Sequence, residues 1–172
     1  VLSDIFTIQE IKKKSISKLK LCWIGDANNN MMNSLIEACI KFSVSLNIAC
    51  PKSYQPNKKL ISLIKKQKGK IKIFNKKEIA IKNSDVVMTD KIISLNDKVN
   101  KKKKLKSFKN FKVDTKTMNL AKKDAIFLHC LPRGNEVTEE VFLGKQSKVW
   151  QQALNRVYVQ KSILLYCFGK LR

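Results

Sequence analysis

The chain has 172 residues, with 36 Lys+Arg against 13 Asp+Glu and a formal charge of +23. That length supplies one ample domain with its own core, and a hydrophobic content of 44% belongs to a globular rather than a disordered chain. No run of about 18 uncharged apolar residues occurs, so a membrane-spanning helix is excluded.

Residues 1–14 carry a helical pattern with Leu2, Ile5 and Phe6 on one face. Residues 19–25 (LKLCWIG) read as a buried strand. The asparagines of Asp26-Ala27-Asn28-Asn29-Asn30 supply the N-cap of a helix whose apolar stripe is Met31, Leu35, Ala38, Cys39 and Phe42. A second strand, 44–50, ends at Pro51, and Asn57 caps a helix with Leu60, Ile61 and Ile64 inward. Residues 70–74 alternate lysine and apolar side chains, the pattern of an edge strand on which lysine discourages pairing with another sheet. A short helix runs to about Asn83, and a fourth strand, 85–89 (DVVMT), enters the loop 90–95. The block Lys101–Lys104 is expected to be a solvated surface loop, with a short helix near 115–121. A fifth strand, 125–130 (AIFLHC), stops at Pro132. The last helix, 148–168, has Trp150, Ala153, Leu154, Val157, Leu164 and Phe168 as its apolar face and Gly169 at C′. The alternation predicts a single α/β domain over 1–172, a Rossmann-like three-layer sandwich on a parallel five-stranded sheet of order 3-2-1-4-5.

Five cysteines, widely spaced and without a Cys-x-x-Cys pair, stand beside a single histidine. That excludes a paired-ligand zinc site; the cysteines read as small core residues of a reducing, cytoplasmic compartment. Only Arg133, Arg156 and Arg172 are arginines, so lysine supplies 33 of the basic residues. Nucleic-acid readout favours arginine and stacking aromatics, so the lysine excess reads as a solvated surface. A polyanion-binding role is the competing reading.

In an open parallel sheet, ligands bind beyond the carboxyl ends of the strands, near the point where strand order reverses. For order 3-2-1-4-5, that brings together residues 25–30, Asp90 with Ser94 and Leu95, and residues 129–133. The first loop lacks Gly-x-Gly-x-x-Gly, so it is not a dinucleotide fingerprint. Its amides suit a small ligand with a carboxylate and an amine, or they simply cap a helix. Asp90 binds an ammonium group or caps a turn. Cys130 contacts an amine or fills space, and His129 reads as a satisfied core histidine. Arg156 faces the crevice, where it would stabilise charge on a carbonyl oxygen, or is solvated.

At these loops the sequence resembles the ornithine carbamoyltransferase family, in its ornithine-binding half. The resemblance rests on WIGDANNNMMNSL, ACPKSYQPN, SDVVMTDKIISL, DAIFLHCLPRGNEVTEEVF and QSKVWQQALNRVYVQKSILL, which are colinear and cover most of the chain. It implies that Asn30, with its neighbour Asn29, holds the amino-acid end of ornithine, that Asp90 binds the amines, and that Ser94 and Leu95 complete the pocket. It places Cys130 and Leu131 between ornithine and carbamoyl phosphate, and Arg156 on carbamoyl phosphate. Asp90, Cys130 and Arg156 are then the catalytic set. Leu95 stands where the family has Met, Asn96 where it has Gly, and Ile92 where it has Trp.

The family's Ser-x-x-Thr-Arg and His-Pro-Cys-Gln motifs are absent from these residues. The chain opens on Val1 within a helical pattern, so it is expected to be the C-terminal domain of a longer enzyme. Helices 1–14 and 148–168 would contact the other domain. The resemblance implies transfer of a carbamoyl group from carbamoyl phosphate to L-ornithine, giving citrulline, with no metal or organic cofactor. The whole enzyme would be a homotrimer, with no membrane and no specific nucleic-acid partner, and the isolated chain inactive. The rival readings are a carbamoyltransferase for a related amine and a basic RNA-binding module without catalysis.

Overall fold

The computed structural model describes residues 1–93 and 100–171. Five strands, β1 (Lys20–Ile24), β2 (Ser45–Ala49), β3 (Ile71–Phe74), β4 (Val86–Thr89) and β5 (Ile126–His129), form one sheet. Its order is β3-β2-β1-β4-β5 and every pairing is parallel. The helices are α1 (Leu2–Lys12), α2 (Asn30–Lys41), α3 (Lys58–Lys66), α4 (Lys77–Ala80), α5 (Lys101–Ser107), α6 (Thr115–Met118), α7 (Glu139–Leu143) and α8 (Val149–Cys167). The expected fold class and strand order are those observed, with β3 at an edge.

The strands are apolar on both faces because helices cover both. Leu21 and Trp23 point to a core with Ile5 and Ile8 of α1, Leu35 and Ile36 of α2, and Leu60 of α3. Their neighbours Cys22 and Ile24 point to the opposite core, with Phe108, Phe111, Phe127 and Phe142. Cys22, Cys39 and Cys50 are buried and their thiols free, so they act as small core residues.

Four helical readings are corrected. In α1 the inward residues are Ile5 and Ile8 with Asp4 and Thr7, whereas Leu2 and Phe6 are exposed. In α2 the buried stripe is Met32, Leu35, Ile36 and Cys39. Met31 and Ala38 pack against that core, as expected, and also border a groove towards α8, where Phe42 lies exposed. In α3 Leu63, not Ile61, joins Leu60 and Ile64 against the core. The block Lys101–Lys104 is no loop but the first turn of α5, capped by Asn100, whose Oδ1 accepts from Lys103 N at 3.2 Å. Its member Lys104 is buried.

Helix α8 departs furthest from its pattern. Its inward residues are Val149, Gln152 and Asn155, while Trp150 is 62% and Phe168 75% exposed. A polar seam holds it to α1. Gln152 Nε2 donates to Asp4 Oδ1 at 2.7 Å, and Asn155 Nδ2 donates to Thr7 Oγ1 at 2.9 Å and Glu10 Oε2 at 2.8 Å. An apolar stripe marks surface that gains by leaving water, but does not say which partner covers it. Gly169, at φ 66°, ends the helix as expected.

Candidate active site

The carboxyl ends of β1, β4 and β5 lie side by side, so the three loops of interest share one end of the sheet. Gly25, at φ 147°, opens the first loop in a conformation that side chains rarely adopt. A Cβ there would meet Thr89 Oγ1 at 3.3 Å, and that hydroxyl donates to Ile24 O at 2.6 Å, so the close approach also ties β4 to β1. Asn29 is the N-cap of α2, its Oδ1 accepting from Met32 N at 2.8 Å and its Nδ2 donating to Asp26 O at 3.2 Å. Asn30 is exposed at the first turn, its Oδ1 accepting from Met31 N at 3.0 Å.

Asp90 follows β4 directly and is partly buried. Burial pushes its carboxyl up from the ordinary value, with Glu136 and Asp26 adding repulsion against the pull of the Lys91 N–H and His129. Cys130 follows β5, and its thiol is pushed well up, first by burial and then by the carboxylates of Asp4 and Asp90. A thiol so placed disfavours the thiolate, which is the nucleophilic form. Arg156 is exposed on α8 and its charge reaches Cys130.

Cys130, Leu131 and Arg156 line one groove of about 980 Å³ between α1, α2 and α8, together with Met31, Ser34, Asp4 and Gln152. The structure therefore brings Cys130, Leu131 and Arg156 together, and Asp90 stands within electrostatic reach of Cys130. Asn29 and Asn30 lie at the start of the helix that forms the groove's second wall. Ser94 and Leu95 fall outside the described residues.

Glu136 and Gln152, both partners of His129, went unassigned in the sequence. His129 is buried as expected of a core histidine, but it lines the groove, and its Nε2 lies 2.8 Å from Glu136 Oε1. Its Nδ1 meets no partner among the described residues. Glu136 Oε1 also accepts from Gly134 N at 2.6 Å, so one buried carboxylate shapes the turn after Cys130. Gln152 closes the same corner, its Oε1 accepting from His129 N at 3.0 Å. The spacing of 149, 152 and 155 was the available signal, but it was polar on a helix with a competing apolar face.

A doubly wound parallel sheet whose loops converge beyond its carboxyl ends defines an α/β domain of the class that binds small molecules at that end. The family model for aspartate/ornithine carbamoyltransferase, Asp/Orn binding domain, matches residues 17–167, and the chain belongs to that family. Among curated relatives, the ornithine carbamoyltransferase of Methanococcus maripaludis (strain C5) is 44% identical over 98% of this chain and 57% of its own length. That of Methanosarcina acetivorans is 37% identical over 96% and 55%. Among solved structures, the anabolic ornithine carbamoyltransferase from Campylobacter jejuni superposes with a TM-score of 0.90 at 38% identity, covering 98% of this chain and 57% of that one. The chain thus spans about half the length of the curated relatives it matches.

Proposed function

We propose that this chain supplies the ornithine-binding half of an enzyme that transfers the carbamoyl group of carbamoyl phosphate to the side-chain amine of L-ornithine, giving L-citrulline and phosphate. The observation that carries the reading is the family match over residues 17–167, which spans all three loops converging at one end of the sheet. In this reading Asn29 and Asn30 hold the amino-acid end of ornithine, with Ser94 and Leu95 completing the pocket. Asp90 pairs with an ornithine ammonium, and the Cys130 thiol and Leu131 lie between the two substrates. Arg156 stabilises the charge that develops on the carbamoyl oxygen.

The chemistry balances without a redox step. The side-chain ammonium of ornithine gives one proton to solvent, and the neutral amine so formed attacks the carbamoyl carbon to form the C–N bond. The C–O bond to phosphate then breaks, and phosphate departs with the electron pair and takes up the second amine proton. Most of the rate comes from holding the reactants in line and stabilising charge. Gripping the phosphate falls to a second domain, because the Ser-x-x-Thr-Arg and His-Pro-Cys-Gln motifs are not among these residues. The exposed face of α8, and Leu2 and Phe6 of α1, are the surface we assign to that domain. The whole enzyme is taken to be a homotrimer on the strength of the family resemblance.

The test is calorimetric titration of L-ornithine and L-aspartate into the 172-residue chain, followed by a citrulline assay with and without a relative's carbamoyl-phosphate domain. The expected result is binding of ornithine over aspartate, with citrulline formed only in the mixture. Preference for aspartate, or binding of neither, would overturn the assignment.

A further inference from the structure

Outside the groove, one ion pair is more deeply buried than anything expected of a lysine-rich surface. Lys104 Nζ lies 2.7 Å from Asp26 Oδ2, with both side chains below one-tenth exposed at 6% and 7%. The same ammonium sits 5.6 Å from the centre of the Tyr54 ring, and that ring packs 4.8 Å from Phe108 at the end of α5. Burying a lysine and an aspartate gives little net stability, because desolvation offsets most of their attraction. What such a pair does supply is a fixed geometry.

Here the geometry leads to the asparagine loop. The second carboxylate oxygen of Asp26 accepts from Asn28 N at 2.8 Å. Its carbonyl accepts from Trp23 Nε1 at 3.1 Å and from Asn29 Nδ2 at 3.2 Å. Asn29 in turn caps α2 through Met32 N. Ala27 N donates to Tyr54 O at 3.0 Å, which ties the loop after β2 to the same point. Lys104, on the first turn of α5, therefore joins that helix to the loops after β1 and β2.

We propose that Lys104 is a positioning residue for the amino-acid pocket. Through Asp26 it fixes the backbone and side chains of the Asn28–Asn30 turn, and it ties that turn to α5 and to Tyr54. The proposal rests on the reading that these asparagines bind ornithine. It also explains why one lysine of the block is buried while Lys101, Lys102 and Lys103 are exposed.

The experiment compares the 172-residue chain with Lys104→Met, Lys104→Arg and the triple variant Lys101→Gln, Lys102→Gln, Lys103→Gln. Ornithine affinity is measured by calorimetry well below each variant's melting point, and amide hydrogen exchange is followed at Asn28 and Met32. Lys104→Met is expected to weaken ornithine binding about tenfold or more, the scale of one lost charge-assisted contact, and to speed exchange at both amides. Lys104→Arg is expected to recover most of the affinity, since it keeps the charge, and the triple variant to match the wild type. A merely structural lysine would lower the melting point and leave the affinity of the folded chain unchanged, and that result overturns the proposal. Absence of ornithine binding in the wild type would defeat the functional reading instead. The positioning role would then be decided by exchange alone: unchanged rates at Asn28 and Met32 in Lys104→Met refute it.

Discussion

Asp90 and Glu136 are two carboxylates near one histidine whose surroundings drive them in opposite directions. Asp90 is raised, chiefly by burial, so its ionised form costs folding stability at neutral pH. Asp90→Asn should therefore be at least as stable as the wild type by thermal melting at neutral pH. Its ornithine affinity should fall by about 10- to 100-fold, because a hydrogen bond to a charged group is worth about 1.5–3 kcal/mol. Calorimetry that finds no loss would remove Asp90 from the pocket. For Glu136, burial pushes the carboxyl up, but the bonds from His129 and Gly134 N outweigh it and the net shift is downward. A lowered carboxyl contributes stability that is present above its ordinary value of 4.5 and is lost as pH falls through the folded value. Glu136→Gln should thus be less stable by about 1–3 kcal/mol near neutrality, and the gap to the wild type should close in acid. Urea unfolding across pH reads this directly; a gap that widened in acid would contradict it.

Helix α8 inverts the usual amphipathic logic, since amide side chains face inward and apolar ones outward. Asn155 is 1% exposed and serves both Thr7 and Glu10 of α1. Asn155→Ala takes from the buried Thr7 Oγ1 the donor it accepts from, while Glu10 Oε2 keeps its bond from Gln151 Nε2, and a buried unsatisfied polar group costs about 1–3 kcal/mol. Leu154→Gln and Val157→Gln, by contrast, touch solvent in this chain and should shift its stability by no more than about 0.5 kcal/mol. Both sets are checked by chemical denaturation. If Leu154→Gln or Val157→Gln strongly destabilised the chain alone, the apolar face would already have a partner within these residues. If they were silent there but blocked citrulline formation in the two-domain mixture, the face would be the docking surface assigned to it.

At the scale of the whole molecule, one concentration of lysines lies away from the candidate site. A basic hollow of about 700 Å³ lined by Lys18, Lys20, Lys70, Lys72 and Lys122 sits at the amino ends of the strands. The proposed ornithine site is at the carboxyl ends. Ornithine binding at the candidate site should therefore survive a rise in salt far better than adhesion to nucleic acid, whose affinity falls steeply because releasing counterions into more concentrated salt gains less free energy. Titration of ornithine and of single-stranded RNA at two salt concentrations separates the two. No helix among the described residues is long and apolar enough to cross a membrane.

The strands were legible because those buried on both faces must be nearly continuous apolar runs, as LKLCWIG, DVVMT and AIFLHC are, and their alternation with helices pointed to the parallel order. The candidate crevice followed from that order, since parallel strands place all their carboxyl ends at one edge. Asn29 as an N-cap was equally local, a contact within one turn. Long-range partners were not legible. Periodicity gave α8 an apolar face but could not reveal that Asp4 and Thr7 of α1 recruit its amides, because those partners lie 148 residues away. Nor could a run of four lysines show which one is buried. The fold sets Asp26 and Tyr54 beneath Lys104, and a charge leaves water only where such partners already wait.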